Sequence, residues 1–336
     1  MQQRRRLAIF FLATIPLVTT ALATTALAAV PIPKPPAIDA RAMILVDYDS
    51  GRVLAEAKAD ERMEPASLTK VMTAYLAFDA LKEGRLKLEE EIPVSEHAWR
   101  SEGSRSFVQV GTRVPAEVLI KGMIVQSGND ATIAIAERLG GTEEAFAQMM
   151  NAYAQKLGMK NTHFDNSTGL PGPTHYTTAR DMALLARAVI RDFPQYYQWY
   201  SMREFVWNNI RQQNRNGLLG RDPSVDGIKT GHTSSAGYCL ATSAKRAGMR
   251  LVSVVFGTAS MKAREDASAA LLNYGFTFYE TVKVKGRGET VLTPRLYKGA
   301  EDHVAIAPRG DVYVTVGRGD AALVKTGATA REPIVA

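Results

Sequence analysis

The sequence predicts an α+β fold, in which one antiparallel sheet is flanked by helices and carries a mostly helical insertion. Strand-like runs occur at residues 42–55 and again at 237–257, near opposite ends of the chain body. The region between them is dominated by apolar helical segments. Strands at both ends with helices between them pack most simply as a single sheet with helical layers. From about Val282, glycines, valines and short alternating runs indicate a small C-terminal β domain.

Residues 1–28 have the pattern of a secretory signal peptide. Three arginines at positions 4–6 precede an apolar run from Leu7 to Ala23, and Ala26-Leu27-Ala28 forms a small-x-small cleavage site. The alternative is an uncleaved membrane anchor, because about 20 apolar residues can span a bilayer. Pro16 and the threonines within the run favour cleavage. Either way we expect an exported protein, in the periplasm or at the outer face of the inner membrane.

Charge and cysteine content limit the class of function. The formal charge of +7 falls to +4 without the three arginines of the leader, and the remaining basic residues are scattered. Nucleic-acid binding would need clustered basic residues with aromatic platforms, so no nucleic-acid partner is expected. A weakly positive chain suits an anionic cell wall or membrane surface only as a loose association. Cys239 is the single cysteine, so an internal disulfide is excluded.

The first elements are a hairpin and a buried helix. Residues 42–55 predict two strands around the turn Asp49-Ser50-Gly51. Pro65 comes just before the largely apolar segment 66–78, and proline is favoured in the first helical turn. This predicts a buried helix with Ser67 near its start.

The later elements follow from the same signals. Residues 115–160 predict helices with a break at Gly140-Gly141, and 178–190 predicts a helix capped by Thr178. Two apolar strands are expected at 237–244 and 250–257, joined by a turn over 245–248. In the C-terminal region, the alternating run 311–316 predicts a further strand.

Three motifs in a fixed order carry the functional signal. They are Ser67-Leu68-Thr69-Lys70, Ser127-Gly128-Asn129 and Lys229-Thr230-Gly231. Each is weak alone, since a serine three residues before a lysine occurs about once by chance in such a chain. Their order, with gaps of 60 and 102 residues between first members, is the pattern of enzymes that acylate the first serine. A second copy, Lys325-Thr326-Gly327, is not followed by a long apolar strand and is interpreted as a turn.

The spacing of Ser67 and Lys70 suggests how the hydroxyl is activated. Three residues apart on a helix, they project from one face, so the amine can reach the hydroxyl. As a base, Lys70 must be neutral, which requires its pKa to fall from about 10.4 to near 7. Burial and a nearby cation can supply that shift, and Lys229 is the expected cation.

The remaining motif residues have expected roles as donors and proton carriers. Ser127 can relay a proton toward a leaving amine, and the Asn129 amide can donate to a substrate carbonyl. The tetrahedral oxyanion needs preorganised N–H donors, for which the backbone of Ser67 and of His232 are the candidates. The chain lacks a Gly-x-Ser-x-Gly elbow, and its five histidines show neither metal-ligand spacing nor a triad partner. No metal is therefore expected.

With the flanks 225–232 and 236–240, these motifs closely resemble low-molecular-mass penicillin-binding proteins that act as serine-type D-Ala-D-Ala carboxypeptidases. The resemblance runs from about Ala40 to the chain end. It implies a β-lactamase/transpeptidase-like fold and an acyl-enzyme at Ser67, formed on a peptidoglycan stem peptide with release of terminal D-alanine. It also implies covalent inhibition by β-lactams and no organic cofactor.

The resemblance further implies a set of substrate-binding residues and a domain plan. The basic and hydroxyl groups that would hold the terminal carboxylate are Thr230, Arg215 and Arg264, alongside Asn129, Gly231 and His232. After the leader, a penicillin-binding domain is expected over 29–281 and a β-rich domain over 282–336. Family members usually add an amphipathic membrane-surface helix after the β domain. This sequence shows no such basic amphipathic stretch, so an incomplete β domain is expected, and peripheral membrane association stays open without support from this C-terminus.

Three other functions stay open from the sequence. A class A β-lactamase places a deacylating Glu between the second and third motifs, whereas segment 163–171 offers only Asp165. A D,D-endopeptidase acting on crosslinks shares the same machinery, and absence of the C-terminal β domain would favour it. A non-catalytic wall-binding protein would not need a nucleophile and two lysines. The sequence does not decide deacylation rate or oligomeric state.

Overall fold

The structure is a computed structural model that describes residues 31–331 and 334–335. The predicted signal peptide, residues 1–28, lies outside the described residues. The strands are β1 (Ala42–Asp47), β2 (Val53–Ala57), β3 (Glu91–Pro93), β4 (Arg113–Pro115), β5 (Glu204–Trp207), β6 (Ile210–Gln213), β7 (Val225–Thr233), β8 (Gly237–Arg246), β9 (Met249–Thr258), β10 (Tyr279–Lys285), β11 (Leu296–Tyr297), β12 (Val312–Gly317) and β13 (Ile334–Val335). The α-helices are α1 (Lys70–Lys82), α2 (Glu96–Arg100), α3 (Ala116–Val125), α4 (Asn129–Gly140), α5 (Glu143–Lys156), α6 (Ala179–Asp192), α7 (Pro194–Tyr197), α8 (Leu218–Arg221) and α9 (Met261–Phe278).

The central sheet joins the two ends of the chain body, as the sequence predicted. Its strand order is β2-β1-β9-β8-β7, and every neighbouring pair is antiparallel. The junction is the pairing of β1 with β9, in which Ala42 lies opposite Phe256. Strand β7, which carries the third motif, therefore forms one edge of the sheet.

Both faces of the sheet are covered by helices. Because side chains alternate across a strand, Ile44 and Val46 pack into the core shared with α1 and α3–α6. Met43 and Leu45 point the opposite way, into a second core completed by α9. All six residues of β1 are buried as a result. The layered α+β architecture is confirmed.

Helix α1 runs through the middle of the helical layer. Ten of its 13 residues are buried, so it has no solvent-facing stripe of its own. Ser67 does not lie in this α-helix: residues Ala66–Thr69 form a 3₁₀ turn that leads into Lys70. Residues i and i+3 eclipse in a 3₁₀ turn, so this tighter geometry brings Ser67 directly beneath Lys70.

Caps and turns follow the sequence signals, with one correction. The Thr178 hydroxyl accepts from the backbone N–H of Asp181 and caps α6, as predicted. The β8–β9 turn is shorter than the predicted 245–248, because β8 continues through Arg246. Ala247 and Gly248 alone form the connection, both with positive φ, which matches the twist of a two-residue hairpin.

The C-terminal region packs on the β1–β2 hairpin. Strand β10 starts at Tyr279, directly after α9, and pairs with β12. The buried carboxylate of Asp47 accepts from the Thr281 hydroxyl at 2.7 Å, and the Ser50 hydroxyl lies 2.6 Å from that of Thr315. The second Lys-Thr-Gly copy, 325–327, is exposed irregular chain rather than a turn.

In the part of the chain that the structure describes, no helix is both long enough and apolar enough to cross a membrane.

The break between α4 and α5 depends on close backbone contact. A Cβ atom at Gly140 would lie 2.7 Å from the backbone nitrogen of Phe146, whereas one at Gly220 would meet nothing within 4 Å. We predict that Gly140→Ala lowers the free energy of unfolding by about 1–3 kcal/mol, since added atoms in a packed contact force backbone shifts. Urea unfolding measures this, with Gly220→Ala as the matched control. Equal stability of the two variants would contradict the prediction.

Candidate active site

A cleft of about 510 Å³ lies between the β7 edge of the sheet and the helical layer. It brings together most of the residues that the sequence singled out. Its walls are formed by Ser67, Gly103, Ser104, Ser127, Arg215, Thr230, Gly231, His232, Tyr238, Met261 and Arg264. Lys70 and Lys229 are buried, and Asn129 is not on the cleft wall.

The centre of the site is a contact between Ser67 and Lys70. The Lys70 Nζ donates to Ser67 Oγ at 2.9 Å and to the Thr168 carbonyl oxygen at 2.6 Å. Lys70 is 1% exposed, while Ser67 is partly open to the cleft. The amine is thus fixed by two acceptors, one of which is the serine oxygen.

Burial is the main cause that lowers the pKa of Lys70 to about 7, and the nearby Arg215 charge lowers it further. The sequence predicted this second effect from Lys229, which stays a prediction: the two buried amines act on each other, since the charge of Lys70 is one cause that lowers the pKa of Lys229. Lys229 is itself buried beside Lys70, Arg215 and Arg264, so its own pKa is well below the ordinary value. Burial among like charges disfavours the charged form of an amine, and for Lys70 the charge that adds to burial is that of Arg215.

Two glycines allow the Ser67 turn to be enclosed. Gly169 has φ +88°, and a Cβ there would overlap the Ala66 carbonyl group. A Cβ at Gly231 would lie 3.1 Å from the Pro65 carbonyl oxygen. The glycine of the third motif therefore lets β7 pass close to the turn that holds the serine.

The segment 163–176 is hydrogen-bonded to α1 and to the turn that precedes it. The Thr73 hydroxyl donates to the Ser167 carbonyl at 2.7 Å. His175 Nδ1 accepts from the Asp165 backbone N–H, so its proton lies on Nε2 and donates to the Thr69 hydroxyl at 2.9 Å. Burial lowers the pKa of His175 to about 4, which keeps this ring neutral at working pH. His175 had no signal in the sequence beyond its presence.

Ser127 faces the cleft with a hydroxyl free to exchange partners. Its φ is +67°, a left-handed conformation that costs a non-glycine residue about 1–3 kcal/mol and is typical of functional sites. Its Oγ is buried and has no hydrogen-bond partner among the described residues. The hydroxyl is therefore available to a bound molecule.

Asn129 mainly holds a loop. Its Nδ2 donates to the Glu102 carbonyl at 2.5 Å, while its Oδ1 is buried without a partner among the described residues. Contact with a substrate carbonyl, expected from the sequence, would have to use the second hydrogen of the same amide. The loop that it holds contributes Gly103 and Ser104 to the cleft, two residues that the sequence analysis missed.

The buried carboxylate of Asp130 fixes the same loop. It accepts from the backbone N–H groups of Ser106 at 2.7 Å and Val108 at 3.3 Å. A side chain at Gly128 would collide with Ser106, so the middle residue of the second motif must be glycine. The acidic residue directly after Ser127-Gly128-Asn129 was the available sequence signal for this contact.

The opposite wall of the cleft is basic. The Arg264 guanidinium donates to the carbonyl oxygens of Gly231 at 3.3 Å and Arg215 at 3.2 Å. Its Nε has no partner among the described residues, and in that same set neither arginine forms an ion pair. No carboxylate is found among the residues that line the cleft. Two uncompensated guanidinium groups beside Thr230 make this wall suited to an anion.

His232 contributes through its position on β7. Its ring packs on that of Tyr238, with ring centroids 4.1 Å apart, so the imidazole is stacked rather than directed at Ser67. Tyr238 and the exposed Met261 complete the rim and were missed by the sequence analysis. Across the described chain, no group of three or more His, Cys, Asp or Glu residues is arranged to hold a metal ion.

Comparisons with known proteins agree with this geometry. The D-alanyl-D-alanine carboxypeptidase family profile matches residues 29–260, and that of the penicillin-binding protein 5 C-terminal domain matches 279–336. The D-alanyl-D-alanine carboxypeptidase DacA of Escherichia coli K12 is 45% identical over 295 residues, covering 86% of this chain and 73% of the relative. DacC of the same strain is 44% identical over 305 residues, covering 89% and 76%.

The fold also matches that of a solved structure. Penicillin binding protein 5 from Haemophilus influenzae superposes with a TM-score of 0.85 at 41% identity, covering 90% of each chain. The resemblance and the fold inferred from the three motifs are thereby confirmed. The chain belongs to the D-alanyl-D-alanine carboxypeptidase family.

Proposed function

We propose that the chain is a serine D,D-carboxypeptidase that removes the terminal D-alanine from peptidoglycan stem pentapeptides and is covalently inhibited by β-lactams. One observation carries the proposal: the Lys70 amine lies 2.9 Å from the Ser67 hydroxyl, beside a cleft whose wall holds two arginines and no carboxylate. The amine supplies the base for an acyl transfer. The basic wall matches a substrate that ends in a free carboxylate.

Acylation starts at Ser67. Its Oγ attacks the carbonyl carbon of the penultimate D-alanine while Lys70 takes the hydroxyl proton. With a pKa of about 7, a large fraction of Lys70 is neutral at neutral pH and ready to act as base. The backbone N–H groups of Ser67 and His232 are the proposed donors to the oxyanion.

Departure of D-alanine requires a proton on its amine. Ser127 is the proposed carrier, because its unpartnered hydroxyl lines the cleft and can bridge Lys70 and the leaving nitrogen. Water then attacks the acyl-enzyme carbonyl and gives one proton to Lys70; the ester bond breaks, that proton passes to the Ser67 oxygen, and the shortened peptide leaves with a new carboxylate. A β-lactam enters the same path, but its leaving nitrogen stays tethered in the adduct.

Thr230, Arg215 and Arg264 are the proposed site for the terminal carboxylate. The free Nε of Arg264 and the exposed guanidinium of Arg215 offer donors on the side of the cleft that faces β7. Lys229 adds a third basic side chain, buried beside the two arginines. This cluster supports recognition of a free C-terminus.

Among the described residues that line the cleft there is no acid in the role of the deacylating Glu of a class A β-lactamase. Asp165, the acid that the sequence left open, accepts from the Thr174 N–H at 2.9 Å and its hydroxyl at 2.5 Å, and pairs with His163. It does not line the cleft.

We also propose that the protein acts after export, in the periplasm, with residues 1–28 as the leader.

Intact-mass analysis of the mature protein tests the proposal. Incubated with a D-Ala-D-Ala pentapeptide, the protein should release one alanine, and with penicillin it should carry a long-lived adduct. Rapid penicillin hydrolysis with an untouched peptide would make it a β-lactamase. Cleavage of crosslinked dimers in preference to pentapeptide would make it an endopeptidase.

The assignment of the nucleophile has its own test. We predict that Ser67→Ala abolishes the penicillin adduct and the release of alanine while leaving the unfolding transition in place, because Ser67 carries the one hydroxyl that the Lys70 amine contacts in the described part of the chain. Ser201→Ala, at an exposed serine in the 3₁₀ turn 198–201, is the matched control and should label normally. A labelled Ser67→Ala protein would show that another residue is acylated.

Arg215 should act on both binding and pH dependence. Its charge lowers the pKa of Lys70, so Arg215→Gln should raise that pKa and move the acid limb of acylation to higher pH. Loss of a charged donor to the carboxylate should also raise the peptide KM by about tenfold. Arg211→Gln, an exposed arginine on β6 paired with Glu204, is the control. An unchanged profile and KM in Arg215→Gln would remove Arg215 from the site.

A further inference from the structure

Glu143 reaches from the start of α5 to the segment behind the active site. Its Oε1 accepts from the Ser167 backbone N–H at 3.0 Å and from the Ser167 hydroxyl at 2.6 Å. Its Oε2 lies 3.0 Å from His97 Nε2. The carboxylate is only 11% exposed, so these contacts replace most of its hydration. The sequence analysis gave Glu143 no role.

The residue held by Glu143 is the immediate neighbour of the Lys70 acceptor. Thr168 follows Ser167, and its carbonyl oxygen accepts from Lys70 Nζ at 2.6 Å. The Ser167 carbonyl accepts from Thr73, which lies almost one turn beyond Lys70 on α1. The Ser167–Thr168 segment is therefore fixed by α5 on one side and by α1 on the other.

The carboxylate also belongs to the charges that surround Lys70. On the positive side are Arg215, across the cleft, and Lys229 on β7, while the nearby ring of His175 is neutral. On the negative side are Glu143 and Asp130. Asp130 is engaged by backbone donors of the cleft loop. The negative charge of Glu143 raises the pKa of Lys70, against burial and Arg215.

We propose that Glu143 is a positioning residue of this active site, which fixes the carbonyl acceptor of Lys70 and places one negative charge behind that amine. The inference rests on the proposed function, in which Lys70 is the base. Glu143 does not touch the substrate. It acts through Ser167 and Thr168, and through its field.

Glu143→Gln separates charge from position, because a glutamine oxygen can still accept from Ser167 and its amide can face His97. We measure the rate constant of penicillin acylation by intact mass at pH values on both sides of the Lys70 pKa. Removal of the negative charge should lower that pKa, so the acid limb should move to lower pH with little change in the maximum rate. Glu144→Gln, an exposed neighbour on the same helix, should overlay the wild type.

Ser167→Ala tests the positional role of Glu143 while leaving its charge in place. It removes one hydrogen bond to the carboxylate but keeps the charge, so it should lower the maximum rate by about fivefold without moving the midpoint. Glu143→Ala loses both functions and should show both effects. Thermal unfolding of each variant establishes that the measured protein is folded.

Two results would overturn the inference. The first is a Glu143→Gln profile that coincides with that of Glu144→Gln. The second is a lower maximum rate with an unmoved midpoint in Glu143→Gln, which would mean a structural role only. If the wild type forms no penicillin adduct at any pH, the proposed function fails instead, and the two failures are distinguishable.

Discussion

The active site depends on holding the amine of Lys70 neutral and in a fixed position inside the protein core. Lowering the pKa of Lys70 from 10.5 to about 7 corresponds to about 5 kcal/mol of disfavoured charge. The fold supplies this through burial, since α1 is enclosed on almost every side by other helices and by the sheet. A helix with a solvent-facing stripe could not provide that environment at its first residue. The burial of ten of the 13 residues of α1 is thus part of the chemistry as well as of the core.

The sheet then decides what can reach the amine. Because β1 and β9 join the two chain ends, the edge strand β7 lies beside the turn that carries Ser67, although the two are far apart in sequence. Gly231 and Gly169 remove the side chains that would hold these segments apart. The three motifs meet because of the sheet register and two close backbone approaches, and their local conformations alone would not bring them together.

The sequence predicted the features that depend on local pattern or on the spacing of residues within a motif. These include the hairpin, the α4–α5 break, the Thr178 cap and the Ser67–Lys70 contact at i and i+3. It failed where long-range packing decides. The effect of the Arg215 charge on Lys70 was not predicted, because it depends on how the β6–α8 connection reaches the cleft. The roles of Asp130, His175 and Glu143 arise from contacts with segments distant in sequence, which no periodicity records.

Opposed charges around Lys70 bear on what happens when substrate binds. A carboxylate bound at Arg215 would offset the positive field that helps to keep Lys70 neutral, while Glu143 already acts in the same direction. Electrostatics alone would then make the base more protonated in the complex. Burial is, however, the largest cause that lowers the pKa of Lys70. A bound peptide removes water from the cleft and therefore strengthens this effect of burial. The site therefore relies on the enclosed position of α1 to keep its base active, and the surrounding charges adjust the pH at which it works.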